Sequence, residues 1–310
     1  MDVILHVGAH RCATTTFQHY LRRNSERLNT DGIGVWEPRR TRNGLFHGIL
    51  PGPQADVRGS LYRRGVGRVR VNLALAAERF RNLIVSDENM LGTMGQNQRS
   101  ASLYGAAGDR MARFFPAFEG HVSDVILNIR SQETYWASVF GYGLMRGRPM
   151  PEPEMLERLS HDQRSWRDVI TDLACALPGV RLWVLPFETF AGRPDAQLAT
   201  LVPGKAPRQH ARIRVNATAR LQELRADIAP REAARLPEGE GRFQPFTRSQ
   251  IVRLRERYAD DVMWLMSGAD GLAWMMDDPE KRWTGLNPSS TDMTRGRSHD
   301  ERQGRMEGTG

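Results

Sequence analysis

The residues that invite a chemical reading stand near the start of the chain. Residues 3–24 read VILHVGAHRCATTTFQHYLRRN. An apolar run meets Gly8, then His10, Arg11, Cys12, Ala13, Thr14, Thr15 and Thr16, then an amphipathic stretch. That order builds an anion cradle. A helix start presents unpaired N–H groups and a partial positive charge, and a glycine-bearing loop ahead of it lets the backbone wrap a phosphate. A nucleoside-triphosphatase loop has Gly, four residues, then Gly-Lys-Ser/Thr. Here Ala13 stands for the second Gly, Thr14 for the Lys, and the cation has moved forward to Arg11. Alanine does not readily take a positive φ. The loop is expected to hold an anion other than a triphosphate.

These groups need a frame. Residues 3–7, 82–86, 122–129 and 180–185 read as short apolar strands, and 15–28, 73–80, 102–118, 133–146 and 165–177 as helices. Residues 31–70 are rich in Gly, Pro and Arg and read as loops with a short helix, facing a substrate. Strands alternating with helices predict an α/β fold, a P-loop-like central parallel β-sheet flanked by helices on both faces. In such sheets ligands sit at the carboxyl ends of the strands. The 8–16 loop, the pair Asp87 and Glu88, and Arg130 each come just after a strand end and are expected to meet at one crevice. Residues 247–266 form an amphipathic packing helix. One domain over 1–286 and a disordered tail over 287–310 are expected, the tail having almost no apolar residues.

Composition narrows the class. The chain has 310 residues, 40% of them hydrophobic, enough for a substantial core. No apolar run is long enough to span a bilayer, and no leader with a cleavage site is evident, so a soluble, cytoplasmic protein is expected. Cys12 and Cys175 make neither a disulfide framework nor a metal-ligand spacing, and His47, His121 and His161 lack ligand partners, so no metal is expected. The net charge is +8, and all its cationic residues but Lys205 and Lys281 are Arg. The arginines are dispersed, with no basic block of the kind a nucleic-acid arm carries. No nucleic-acid partner is expected.

At this point the chain resembles a known family. The order His6-x-Gly8-x-His10-Arg11-Cys12-Ala13-Thr14-Thr15-x-x-Gln18 is similar to the 5′-phosphosulfate loop of sulfotransferases, closest to bacterial members related to the carbohydrate enzymes. Arg11 replaces their usual Lys, Ala13 their Gly, and Cys12 a Thr. An Arg at a strand end with a Ser eight residues on, which that family uses for the donor's 3′-phosphate, is matched by Arg130 and Ser138. Arg supplies a planar fork of donors that suits phosphate oxygens. The segment Leu185-Pro186-Phe187-Glu188 resembles the strand end that comes next in that fold.

The resemblance implies an enzyme that moves the sulfuryl group of 3′-phosphoadenosine 5′-phosphosulfate (PAPS) to an acceptor hydroxyl, on a glycan or glycan-like molecule. It implies donor contacts from Arg11, Cys12, Ala13, Thr14, Thr15, Thr16, Arg130 and Ser138, with Arg11 stabilising the leaving phosphate. The general base it implies is Glu88, with Asp87 and His10 as rivals. His6 reads as a core histidine, while Trp36, Phe46 and Tyr62 read equally as packing or as the wall of an acceptor site. Two other functions stay open from the residues alone: a P-loop nucleotide kinase or triphosphatase, and a non-catalytic nucleotide-binding relative.

Overall fold

The computed structural model describes residues 1–49 and 59–278. Six strands form one parallel sheet: β1 (Asp2–His6), β2 (Ile33–Trp36), β3 (Asn82–Ser86), β4 (Val122–Ile129), β5 (Arg181–Pro186) and β6 (Trp274–Met275), in the order β2-β3-β1-β4-β5-β6. β1 lies between β3 and β4, in unbroken register with β3 and with one register shift against β4 between Val3 and Ile4 (His6 faces Ser86 on one side and Ile126 on the other). The sheet is apolar on both faces, as helical cover requires. Val3, Leu5, Leu83, Val85, Val125 and Leu127 point into one buried cluster, and Ile4, Ile84 and Ile126 into the other. The period of two along each strand sorts them.

The helix Thr14–Arg23 covers the second face with Phe17, Tyr20 and Leu21. The first face takes helices Ser60–Ala77, Ala107–Phe114, Gln132–Leu144, Trp166–Ala176 and Arg248–Met266. Two of these carry the full capping box. Thr247 and Gln250 close the start of Arg248–Met266, and Ser165 and Asp168 that of Trp166–Ala176.

Several elements differ from their sequence-based expectation. The segment read as loops with a short helix over 31–70 holds β2 and more than half of the long helix Ser60–Ala77. Its glycines hid both. Gly34 sits inside β2 because a Cβ there would lie 2.6 Å from the Phe80 ring, and Gly65 sits inside the helix because a Cβ would lie 2.8 Å from the His47 carbonyl oxygen. The stretch read as one helix over 15–28 breaks at Asn24, whose side-chain amide donates to the carbonyls of Tyr20 (3.0 Å) and Gln209 (3.1 Å). The helix read over 102–118 begins later, as Ala107–Phe114, and ends in a short 3₁₀ turn. Trp36 and Phe46 belong to the core: Phe46 packs edge-on against Phe114 at 5.0 Å. The tail expected to be disordered over 287–310 lies outside the described residues.

One buried contact fixes the frame behind the crevice. Asp261, on Arg248–Met266, accepts hydrogen bonds from Ser165 Oγ (2.5 Å), Trp166 N–H (3.0 Å) and Arg167 N–H (3.1 Å). It thereby caps a second helix and holds Trp166, whose indole N–H donates 2.7 Å to the Arg130 carbonyl. Replacing Asp261 with Ala leaves the Ser165 hydroxyl and the Trp166 N–H buried without that acceptor, while the Arg167 N–H keeps Ser165 Oγ at 3.2 Å. We expect a loss of about 2–3 kcal/mol of unfolding free energy in urea, typical of a charge-assisted cluster. A loss below about 0.5 kcal/mol would contradict this reading.

Candidate functional site

Gly8 opens the loop after β1 at φ 37°, where a Cβ would meet Thr14 Cγ2 at 2.4 Å. Only glycine fits. Arg11 (φ 62°) and Ala13 (φ 64°, ψ 16°) are both left-handed, although neither is glycine. The expectation that Ala13 avoids positive φ is corrected here: the turn into the helix demands it, and the surrounding packing enforces it. The Cys12 N–H closes the turn on the Ala9 carbonyl at 3.3 Å, so it is not free for a ligand. The Cys12 thiol is buried, and burial pushes it up to about 12, leaving it inert and neutral. The backbone N–H groups of Ala13, Thr14, Thr15 and Thr16 donate to no protein acceptor among the described residues, and no side chain caps them.

These N–H groups border a cleft of roughly 230 Å³. Its walls are the loop and first turn (Arg11, Ala13, Thr14, Thr15, Thr16), Arg130 and Phe187 past the ends of β4 and β5, the 214–218 segment, and Arg242. Four arginines line it, and no carboxylate among the described residues does. The Arg130 guanidinium lies over the Phe187 ring, 4.1 Å from its centre, and its Nη1 donates 3.0 Å to the Arg11 carbonyl. Glu188 is held away from a ligand, accepting from Ser131 N–H (3.1 Å) and Tyr258 hydroxyl (2.8 Å). Ser138 pairs with Thr218, Oγ to Oγ1 2.8 Å. The 207–218 segment runs along the helix Thr14–Arg23, where Pro207 O takes the Tyr20 hydroxyl at 2.6 Å, and Val215 and Thr16 exchange hydrogen bonds of 3.1 and 3.2 Å.

Glu88 does not line this cleft. It belongs to a second, acidic cluster at the end of β3. Asp87 is wholly buried, and its oxygens accept from the Thr41 hydroxyl, the Asn89 N–H (3.0 Å) and the Arg42 guanidinium (2.7 Å). Glu88 Oε1 accepts from Arg42 Nη2 at 2.9 Å and Oε2 from Gln18 Nε2 at 2.8 Å. Burial works against charge on Glu88, but His10 and the Arg42 guanidinium outweigh it and hold the carboxyl down to about 2. His10 is itself pushed down by burial and is neutral near pH 7, so Arg42 is the standing cation.

The two flanks of the loop therefore differ in chemistry. His10 faces the acidic cluster. The Tyr104 hydroxyl accepts from the His10 backbone N–H and lies 2.8 Å from His10 Nδ1, while Nε2 lies 3.1 Å from Asn89 Oδ1. Arg11 faces the other way. Its Nε donates to Ser138 Oγ at 2.9 Å and its Nη2 to the Asn216 carbonyl at 3.1 Å. His6 lies under the loop, 2.7 Å from Ser86 Oγ and 2.8 Å from Asn128 Oδ1, and burial lowers its imidazole to about 4. It ties β1 to β3 and β4 as a neutral group.

Thus the structure gathers Arg11, Ala13, Thr14, Thr15, Thr16 and Arg130 around one cleft, with Ser138 joined to it through Arg11 and Thr218. Cys12 supports the loop from beneath. Sequence reasoning missed Arg42, Arg214, Asn216, Thr218 and Arg242. The 203–219 segment has no periodicity, and its arginines are lost among the many others.

No family model matches the chain, no curated protein matches it, and no solved structure matches it. The functional reading rests on the geometry.

The strained loop and the acidic cluster each make an expectation. Left-handed backbone costs a non-glycine residue about 1–2 kcal/mol, partly offset by the extra freedom glycine gives the unfolded chain. Ala13→Gly should therefore stabilise the ligand-free protein by about 0.5–1 kcal/mol, seen as a rise in Tm; a fall in Tm contradicts the strain. Glu88 has a folded-state value of about 2, below its ordinary 4.5. Its contribution to stability is thus complete above pH 4.5 and is lost as pH falls toward 2. Arg42→Ala should cost about 2–3 kcal/mol at pH 7, less than a wholly buried pair because the Arg42 side chain is partly exposed. That difference should shrink between pH 4.5 and pH 3 in denaturant titrations. A difference that stays constant with pH would remove the ion pair as its cause.

Proposed function

We propose that the chain is a PAPS-dependent sulfotransferase that acts on an acceptor hydroxyl, on a glycan or glycan-like molecule. One observation carries the reading: a cleft with four arginines and no carboxylate among the described residues opens onto the free N–H groups of a strand–loop–helix turn. Guanidinium groups without a carboxylate in direct contact, set around free amides, suit a small ligand with several negative charges. A nucleotide bearing phosphate groups at both ends meets that description. The cluster at the end of β3 supports the acceptor side of the same reading.

On this reading the N–H groups of Thr14, Thr15 and Thr16 and the hydroxyls of Thr14 and Thr15 hold the 5′-phosphosulfate, and Arg130 and Ser138 hold the 3′-phosphate. Arg11 adds positive charge to the donor cleft. The acceptor oxygen attacks sulfur in line. The new S–O bond forms as the bond from sulfur to the 5′-phosphate oxygen breaks, and adenosine 3′,5′-bisphosphate leaves. Charge building on that phosphate oxygen meets the helix start. The acceptor proton passes to Glu88, which is ionised at neutral pH. With Arg42 and Gln18 in place Glu88 is a weak base, and it gains basicity as the acceptor hydroxyl takes the position of Arg42 on Oε1. Asp87 has no oxygen left for this role, since Thr41, Arg42 and the Asn89 N–H occupy both. The same occupancy weighs against a kinase or triphosphatase, which needs an open acid at a strand end to hold magnesium.

Thermal unfolding with added nucleotide tests the reading. Adenosine 3′,5′-bisphosphate at about 100 times its Kd should stabilise the protein by about 2.7 kcal/mol. Stabilisation by ATP with magnesium and none by the bisphosphate would sink the proposal. Glu88→Gln should keep bisphosphate binding and lose transfer to any hydroxyl that the unaltered protein sulfates. Full transfer by that variant removes Glu88 as the base.

A further inference from the structure

The direction of Arg11 assigns it a task that its place in the loop does not suggest. With φ at 62°, its side chain leaves the loop on the side away from the acidic cluster. The guanidinium is fixed on three sides: Nε on Ser138 Oγ (2.9 Å), Nη2 on the Asn216 carbonyl (3.1 Å), and its face on the Tyr142 ring at 4.6 Å. Arg146 covers Tyr142 as well, at 4.3 Å, so the ring lies against two cations. Arg130 reaches the same place from β4 and holds the Arg11 carbonyl at 3.0 Å. Neither Arg11 nor Arg130 pairs with a carboxylate among the described residues. Arg130 is 5% exposed and Ser138 2%. Two largely buried guanidinium groups and two hydroxyls, Ser138 and Thr218, thus lie together with no carboxylate hydrogen-bonded to either guanidinium among the described residues, Glu188 and Glu133 acting on Arg130 only through space.

Like charges held together out of water are costly unless a ligand neutralises them. Each guanidinium also has donors beyond those its protein contacts use: Arg11 keeps Nη1, and Arg130 keeps Nη2. A tetrahedral dianion has enough oxygens to take both forks. The Arg11 guanidinium is tethered to Ser138, on the helix Gln132–Leu144, whereas the free N–H groups of Ala13 to Thr16 lie at the start of the loop helix.

We infer that Arg11 binds the terminal 3′-phosphate of the nucleotide together with Arg130, Ser138 and Thr218, and so sets the preference for a nucleoside bisphosphate over a 5′-monophosphate. This rests on the proposed nucleotide donor but changes the part Arg11 plays in holding it. The leaving phosphate oxygen is then served by the loop N–H groups and the helix start, without an arginine side chain. Arg11 is a specificity residue of the donor site, its guanidinium on Ser138 and Asn216 and not on Glu88.

The experiment is a pair of calorimetric titrations, with adenosine 3′,5′-bisphosphate and with adenosine 5′-monophosphate, on the full chain and its Arg11 variants. The unaltered protein should prefer the bisphosphate. In Arg11→Ala the bisphosphate Kd should rise about tenfold or more, the loss expected for charge-assisted hydrogen bonds, while the monophosphate Kd changes less than about threefold. Arg11→Lys keeps the charge without the fork and should show a smaller loss, again for the bisphosphate alone; it serves too if the Ala variant does not fold. Equal losses for both nucleotides put Arg11 at the 5′-phosphate and overturn the inference, as does no loss for either. An unaltered protein that binds the two nucleotides equally overturns the donor-site reading, and this inference with it.

Discussion

Parallel strands end along one edge, and that constraint governs everything chemical in this protein. With β1 between β3 and β4, the segments leaving those three strands must meet. They are a glycine-opened loop, an acidic pair and an arginine. The helix after the loop then points its unpaired N–H groups into the crevice. Some of the strained backbone stands at the same place. Arg11 and Ala13 occupy left-handed backbone, and four arginines line the cleft with no carboxylate among the described residues. Such local conflicts persist in folded proteins where a ligand relieves them.

The loop is also a partition. His10 and Arg11 are neighbours in sequence, yet one meets Tyr104 and Asn89 and the other meets Ser138 and Asn216. The left-handed turn at Arg11 divides them. On one flank lie cations without acids. On the other, Asp87 and Glu88 are bound to a single arginine, Arg42, with a buried neutral histidine beside them. A group-transfer enzyme needs such a division, an anionic donor on one side and a proton acceptor on the other, with the reacting atoms between.

Much of this frame was legible. The strands at 82–86 and 122–129 coincide with their expected bounds because each is a short apolar run bounded by polar residues, buried on both faces. The helix Arg248–Met266 was legible from its apolar period, and the Thr247–Gln250 capping box fixes its start. β2 was not, because four residues including a glycine carry no period that a reader can weigh. The loop was legible as a glycine-opened turn into a helix start, and Arg130 as its neighbour, since strand ends can be counted. The direction of Arg11 was not legible. It depends on φ angles at Arg11 and Ala13 that intrinsic preference argues against and tertiary packing imposes. The 207–218 segment was hidden for a related reason: its contacts with Tyr20, Asn24 and Thr16 are hydrogen bonds to its backbone, which side-chain types do not encode.

The most direct test is a crystal structure with adenosine 3′,5′-bisphosphate bound. The 5′-phosphate should lie on the N–H groups of Ala13 to Thr16, and the 3′-phosphate between Arg11, Arg130 and Ser138, with Glu88 free of the nucleotide. A nucleotide seated in the reverse sense, or against Asp87 and Glu88 through a metal ion, would contradict the assignment.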